Sequence, residues 1–246
     1  MSDNPGDMDS WPVAILAGGL ATRLRPVSET IPKVLINVAG EPFLAHQLRL
    51  LRGAGLRKVV LCIGYRGEMI EEKFGDGAGV GMKLNYSSDG AQLLGTGGAV
   101  KKALPLLGDR FFVLYGDSYL PIDYSGPARA FLTSQQLGLM TVFRNEGRWD
   151  TSNVSFANGV IKRYDKKQPP SDAEYIDYGL GLFRPEALYP YPEAKAFDLA
   201  DVYRHLIAKD SLAGYEIRER FYEIGSPEGL AELDGLLRDR QLSATS

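Results

Sequence analysis

The chain is expected to be an α/β protein built on a mainly parallel, Rossmann-like sheet flanked by helices, and three observations carry that expectation. An apolar run at residues 13–16 breaks directly into Gly18-Gly19. Further β-rich runs at 58–63, 82–87 and 111–115 alternate with stretches of helical spacing, the pattern of parallel strands joined by right-handed crossovers. The length of 246 residues, 44% of them hydrophobic, suits one large domain with a substantial core.

The opening stretch, MSDNPGDMDS, is polar and acidic, unlike a secretory signal, and is expected to be a flexible tail over residues 1–10. After the first strand, PFLAHQLRLLRGAG places apolar residues at helical spacing and ends in Gly53 and Gly55. GYRGEMIEEKFGDG predicts a short helix, and residues 99–104 and 123–136 predict two more. A strand is expected at 138–144. The character then changes: runs at 153–157, 160–164 and 175–183, separated by Asn158-Gly159 and Pro169-Pro170, predict antiparallel elements forming a lid over the sheet. Asn-Gly between apolar runs is a strong hairpin signal. Ser226-Pro227-Glu228 starts a terminal helix with good capping chemistry.

Composition excludes several classes. A net charge of −3 argues against general nucleic-acid binding, and no apolar run is long enough to span a membrane. The single cysteine, Cys62, rules out an intrachain disulfide and fits a reducing, cytoplasmic home. Cys62 and His205 are read as packing residues, and His46 as a packing or surface residue. Oligomeric state is not legible, and a homo-oligomer is compatible with the sequence.

Two stretches carry chemistry. After Gly18-Gly19 come Thr22, Arg23, Arg25 and Lys33, on a loop stiffened by Pro26 and Pro32. A glycine turn at a strand end exposes N–H groups that can approach a phosphate, and arginine and lysine supply permanent positive charge. This is neither a GxxxxGK[ST] phosphate loop nor a GxGxxG fingerprint. The run at 111–115 ends in Gly116-Asp117-Ser118. A carboxylate there suits a Mg²⁺ ion, which takes oxygen donors and keeps several waters; the alternative is a turn-capping aspartate. Gly95-Thr96-Gly97-Gly98 precedes a helical run, so N–H donors at the helix start could face an anion or a base edge; the alternative is a simple loop-to-helix turn.

The stretch LAGGLATRLRP…IPK resembles the signature of the sugar-phosphate nucleotidylyltransferases (NDP-sugar pyrophosphorylases), LAGGxGTRLxPxTxxxPKxxxPV. It departs at Ala21, where the family has glycine, and at Ile36-Asn37-Val38. The resemblance covers about residues 12–235. It implies the nucleotide-diphospho-sugar transferase fold, with a nucleotide-binding half at 11–144 and a smaller antiparallel sugar-phosphate-binding half at 145–240. LGTGGAV (94–100) is similar to the loop of the heptose-1-phosphate guanylyltransferase-like group.

By resemblance, nucleotide binding is expected at Ala17, Gly18, Gly19, Thr22, Gln92, Gly95 and Gly98. Catalysis is expected from Arg23, Lys33 and Asp117. Tyr164-Asp165-Lys166 is similar to the family's x-E-K-P, so Lys166, with Lys167 as the alternative, is expected on the sugar phosphate. Gly179 in DYGLG would admit the sugar ring. Asp198 is either a helix N-cap or a reader of sugar hydroxyls. Tyr222-Glu223-Ile224-Gly225 matches W-x-D-[TIV]-G-T-P, which makes Glu223 the second Mg²⁺ ligand beside Asp117. The implied reaction joins an NTP and a sugar 1-phosphate, giving NDP-sugar and pyrophosphate. A silent regulatory subunit of the same fold and a cytidylyltransferase acting on a non-sugar phosphate are the alternatives.

Overall fold

The computed structural model describes residues 8–19 and 31–245. Most of the N-terminal tail, together with Ala21, Thr22, Arg23 and Arg25, lies outside the described residues. The organising strand is β1 (Pro12–Leu16), which pairs in parallel with β4 (Lys58–Ile63) on one side and β6 (Phe111–Tyr115) on the other. β5 (Lys83–Ser88) adds to β4 in parallel. Chain order therefore reverses between β1 and β6, the switch point beyond whose carboxyl ends open α/β sheets bind ligands.

Successive strand residues point to opposite faces. Val13 and Ile15 join a buried cluster that includes Leu44, Leu48 and Phe131, from α1 (Phe43–Gly53) and α4 (Ser125–Ser134). Ala14 joins the opposite cluster, with Val100 of α3 (Gly95–Ala103) and Leu199 and Val202 of α5 (Leu199–Ala208). Helices thus cover both faces, as a parallel sheet buried on two sides requires. The short α2 (Gly67–Phe74) adds Ile70 to the first cluster.

The second half of the chain departs from the lid expected of it. β8 (Gly138–Arg144), β9 (Val154–Ala157), β10 (Val160–Tyr164), β11 (Tyr175–Phe183) and β12 (Leu212–Ile217) continue the same nine-stranded sheet, in the order β5-β4-β1-β6-β11-β8-β12-β10-β9. The expected antiparallel character is present: β11 runs antiparallel to both β6 and β8. An open edge of β6 is satisfied by β11, so the ladder extends sideways instead of stacking. The β9–β10 hairpin turns at Asn158 (φ 51°) and Gly159 (φ 78°), both left-handed, as the Asn-Gly signal requires.

Two small ribbons complete the fold. β2 (Asn37–Val38) pairs with β3 (Glu41–Pro42), and β7 (Ser118–Tyr119) pairs antiparallel with β13 (Tyr222–Glu223) ahead of α6 (Pro227–Thr245). The second ribbon brings residues 118 and 223 side by side. His46 is buried on α1 with Nε2 2.7 Å from the Val38 carbonyl oxygen, and His205 meets the Tyr191 ring edge-on; both pack. Among the described residues no helix is long and apolar enough to cross a membrane.

The core is tested at Phe112 of β6, which is fully buried between the Trp11 and Tyr124 rings, 5.5 and 6.2 Å away between centroids. Phe112→Ala is expected to lower unfolding free energy by about 3–5 kcal/mol. Urea denaturation followed by far-UV circular dichroism measures it.

Candidate active site

The first cavity opens where β1 and β6 end. Its volume is about 280 Å³, and its walls include Ala17, Gly18, Gly19, Lys33, Gly116 and Asp117. Gly116 is required sterically: a Cβ there would strike the Leu16 carbonyl, so only glycine lets β6 leave the sheet this close to β1. Asp117 follows at once. Its Oδ2 pairs with Lys33 Nζ at 2.7 Å, with the lysine side chain 16% exposed and the aspartate 36%. Lys33 is carried into place by a 3-10 turn, Lys33–Leu35, whose Val34 is buried.

A second cavity of about 600 Å³ adjoins the first, and Tyr115 and Asp117 line both. Lys166 enters it from the residues just after β10. Its Nζ lies 3.2 Å from Asp177 Oδ2 and 4.7 Å from the centre of the Tyr115 ring. Lys167 is exposed and donates only its backbone N–H to Asp165 Oδ1 at 2.7 Å, so Lys166 is the lysine that reaches the cavity. Gly179 sits at φ 91°, where a Cβ would be 3.0 Å from Ser118 Oγ and 3.1 Å from Tyr115 Cδ2. Glycine is the residue that suits this conformation, and it lines the second cavity.

Glu223 lines the second cavity from β13, and the Ile224 N–H donates to the Asp117 carbonyl at 3.0 Å, tying the two acidic segments together. A methyl group on Gly225 would lie 3.6 Å from Glu223 Oε1 and 3.7 Å from Lys33 Nζ. The second acid and the lysine therefore flank one point. Among the described residues, no group of three or more His, Cys, Asp or Glu could cage an ion. Two carboxylates on hydrogen-bonded segments, both lining an open cavity, fit a hard cation that keeps waters and takes substrate oxygens as its remaining ligands.

Asp177 anchors this junction, a role the sequence did not show. Its carboxylate, 1% exposed, accepts hydrogen bonds from Tyr115 Oη (3.1 Å), Tyr164 Oη (3.0 Å) and the Gly179 N–H (3.1 Å). Burial, and then the Asp177 charge, push both phenols well above the ordinary tyrosine range. They stay neutral donors, and four donors on one buried carboxylate offset its desolvation. The DYGLG motif drew attention to its glycine; the neighbouring aspartate gave no separate signal. Arg220 and Trp149 were likewise missed. The guanidinium lies 3.5 Å over the Trp149 ring and pairs with both Glu232 oxygens at 2.6 and 2.7 Å, walling the second cavity.

The glycine loop is placed differently from expectation. α3 begins at Gly95 itself, because the Gly97 and Gly98 N–H groups both donate to the Phe197 carbonyl, at 3.0 and 3.3 Å. Those donors are thus spent inside the fold. Gly98 is a packing glycine whose Cβ would sit 2.8 Å from the Lys195 carbonyl, whereas Gly95, Thr96 and Ala99 face the first cavity. Gln92 is exposed and lines neither cavity. Asp198 precedes α5 in an extended conformation, its N–H donates to Asp201 Oδ2 at 3.2 Å, and its Oδ1 accepts the Thr96 hydroxyl at 3.1 Å. The capping alternative describes Asp198; it does not line the second cavity.

With the geometry in place, the comparisons are decisive. Residues 13–234 match the Nucleotidyl transferase family.

The chain belongs to that family.

It is 40% identical over 229 residues to the N-acetylmuramate alpha-1-phosphate uridylyltransferase of Neisseria meningitidis serogroup B, covering 90% of this chain and 96% of that one. It is 30% identical to the D-glycero-alpha-D-manno-heptose 1-phosphate guanylyltransferase of Campylobacter jejuni, covering 87% and 94%. The crystal structure of HddC from Yersinia pseudotuberculosis complexed with GMP-PN superposes with a TM-score of 0.74 at 25% identity, covering 92% and 99%. The group suggested by LGTGGAV is thus among the relatives, with the uridylyltransferase more similar in sequence. This nucleotidyltransferase is an enzyme of the kind that works with a divalent cation.

Cys62 borders the first cavity but is 1% exposed. Burial and then the nearby Asp89 charge push its thiol up to about 12. The thiolate is the reactive form, so iodoacetamide is expected to leave Cys62 unmodified in the folded enzyme at pH 8 and to alkylate it in 6 M guanidinium. Intact-mass spectrometry reads both states.

Proposed function

We propose that this nucleotidyltransferase takes uridine monophosphate from UTP and joins it to N-acetylmuramic acid α-1-phosphate, releasing pyrophosphate with Mg²⁺ present. The observation that carries the reaction is the shared wall: Tyr115 and Asp117 border both cavities, so a nucleotide in the first and a sugar phosphate in the second meet beside Lys33. The substrates are suggested by the relative that is 40% identical and covered over 96% of its length.

Both reactants are anions, so the chemical problem is repulsion between them and charge building on the leaving group. Transfer at phosphorus needs alignment and positive charge more than covalent help. In this reading the Gly18-Gly19 turn cradles the triphosphate, with Thr22 and Arg23 from the following loop completing it, Arg23 on the departing pyrophosphate. Lys33 stands between the α-phosphate and the incoming phosphate oxygen. Its partner Asp117, with Glu223, would hold Mg²⁺, which when bound supplies further positive charge at the α-phosphate. Lys166 orients the sugar phosphate, and its pairing with Asp177 keeps the ammonium on the Tyr115 face. A sugar phosphate is already ionised near neutral pH, so no side chain is needed as a general base.

Lys33→Ala and Asp117→Asn are each expected to cut turnover by roughly 10²–10³ with an unchanged melting temperature; near-wild-type turnover in either removes that residue from the mechanism. Glu223→Asp should retain part of the activity and Glu223→Gln very little. Substrates are assigned by pyrophosphate release over a grid of UTP, GTP, CTP, ATP and dTTP against phosphocholine and glucose-, mannose-, N-acetylglucosamine-, N-acetylmuramic acid- and heptose-1-phosphates. GTP with heptose 1-phosphate would replace the uridylyl reading with the guanylyl one, phosphocholine with CTP would favour the non-sugar alternative, and no release anywhere would favour the regulatory one.

A further inference from the structure

The turn that presents Asp117 is held from behind by α1. Gln47 of that helix, 1% exposed, directs its side-chain amide at the two carbonyls that flank Gly116-Asp117. Its Nε2 donates to the Tyr115 carbonyl at 3.2 Å and to the Ser118 carbonyl at 2.8 Å. Both partners are acceptors, so the NH₂ and not the oxygen must face them, and both of its hydrogens are used. Ser118 is also the β7 residue paired with Glu223 of β13. One amide group therefore fixes the end of β6, the acid beyond it and the start of the ribbon that brings in the second acid.

The same face of α1 holds the segment that carries Lys33. Residues 43, 46 and 47 are neighbours on the helix at the spacing i, i+3, i+4. The Phe43 N–H donates to the Ile36 carbonyl at 2.9 Å, and the Ile36 N–H donates back to the Lys33 carbonyl at 3.1 Å. His46 Nε2 lies 2.7 Å from the Val38 carbonyl oxygen. The Lys33–Asp117 contact of 2.7 Å thus joins two segments that are fastened to a single helix.

Stability alone does not account for Gln47. Its helix neighbours Leu44, Leu48 and Leu51 are apolar and fully buried. Among the described residues the buried Gln47 Oε1 accepts no hydrogen bond, and a buried acceptor without a donor is destabilising. An orphaned atom of this kind in a native fold calls for a reason. We propose that Gln47 is a positioning residue for nucleotidyl transfer: its amide fixes the turn that sets the Asp117 carboxylate against Lys33. On the reading proposed above, it thereby keeps Asp117 and Glu223 in place for the divalent cation. Transfer at phosphorus rests on alignment, and a displacement of about 1 Å caused by a residue away from the chemistry can lower the rate by about 10²-fold.

Gln47→Met separates positioning from packing, because it keeps the bulk of the side chain and removes both donors. With the substrate pair that the wild type prefers, kcat is expected to fall on the order of 10²-fold at an unchanged melting temperature. KM for each substrate should stay within about threefold, since binding groups are untouched. Mn²⁺ titration followed by electron paramagnetic resonance, in the presence of UMP and without turnover, should show weaker binding in the variant. Gln47→Asn keeps the NH₂ but withdraws it by one methylene, and should lose kcat in the same direction at unchanged KM; it carries the test alone if Gln47→Met does not fold. A folded variant with wild-type kcat and Mn²⁺ affinity overturns the inference. So does a raised KM at constant kcat, or a fall in activity that matches the fraction unfolded by circular dichroism. Absence of turnover in wild type and variant alike, with Mn²⁺ held more weakly by the variant, supports the inference and ends the catalytic reading alone.

Discussion

The close approach of β1 and β6 at their carboxyl ends is the constraint on which the rest depends. Gly116 lies against the Leu16 carbonyl with no room for a side chain, and Asp117 follows it onto Lys33. Everything chemical is stationed around that point. The glycine turn after β1 forms one wall, and the β7–β13 ribbon brings Glu223 in from another. Moving either strand end outward by one residue would separate the lysine from the acid and open the junction between the two cavities.

The second cavity depends on a buried charge. Asp177 collects two phenols, an ammonium and a backbone N–H, and in doing so it fixes the ring of Tyr115, which borders both cavities. A buried carboxylate is costly unless its lone pairs are filled. Here they are filled by the groups whose positions matter, so its stabilisation and the shape of the junction come from the same hydrogen bonds. The wall opposite is built differently, from Arg220 stacked on Trp149 and paired with Glu232. That wall brings the loop after β8 and the terminal helix α6 together over the second cavity.

Much of this was legible in the chain. The strand-to-glycine turn, the carboxylate after Gly116 and the Asn-Gly hairpin each lie within a few consecutive residues, where dihedral preferences and hydrophobic periodicity speak directly. Lys166 was chosen over Lys167 from a local match, and in the structure Lys166 meets Asp177 and the Tyr115 ring. The errors share one cause. Gly98 and the helix-start N–H groups were read as facing a ligand, yet the Phe197 and Lys195 carbonyls, about a hundred residues away in sequence, occupy that space. Gln92 has a suitable side chain and points to solvent.

The amino-acid order by itself determined the α/β class, the glycine turn that closes the first strand, the acid that follows Gly116, and membership of a transferase family. Those properties follow from local chemistry: which residues bend a chain, which carry charge, and how often apolar positions recur. Tertiary structure alone decided that the second half extends the first sheet, that Asp177 is the buried anchor, that Asp89 and not Gln92 lines the first cavity, and that two cavities share Tyr115 and Asp117. Each of these depends on which distant backbone donors and acceptors fill a given space, and no local pattern in the chain encodes that.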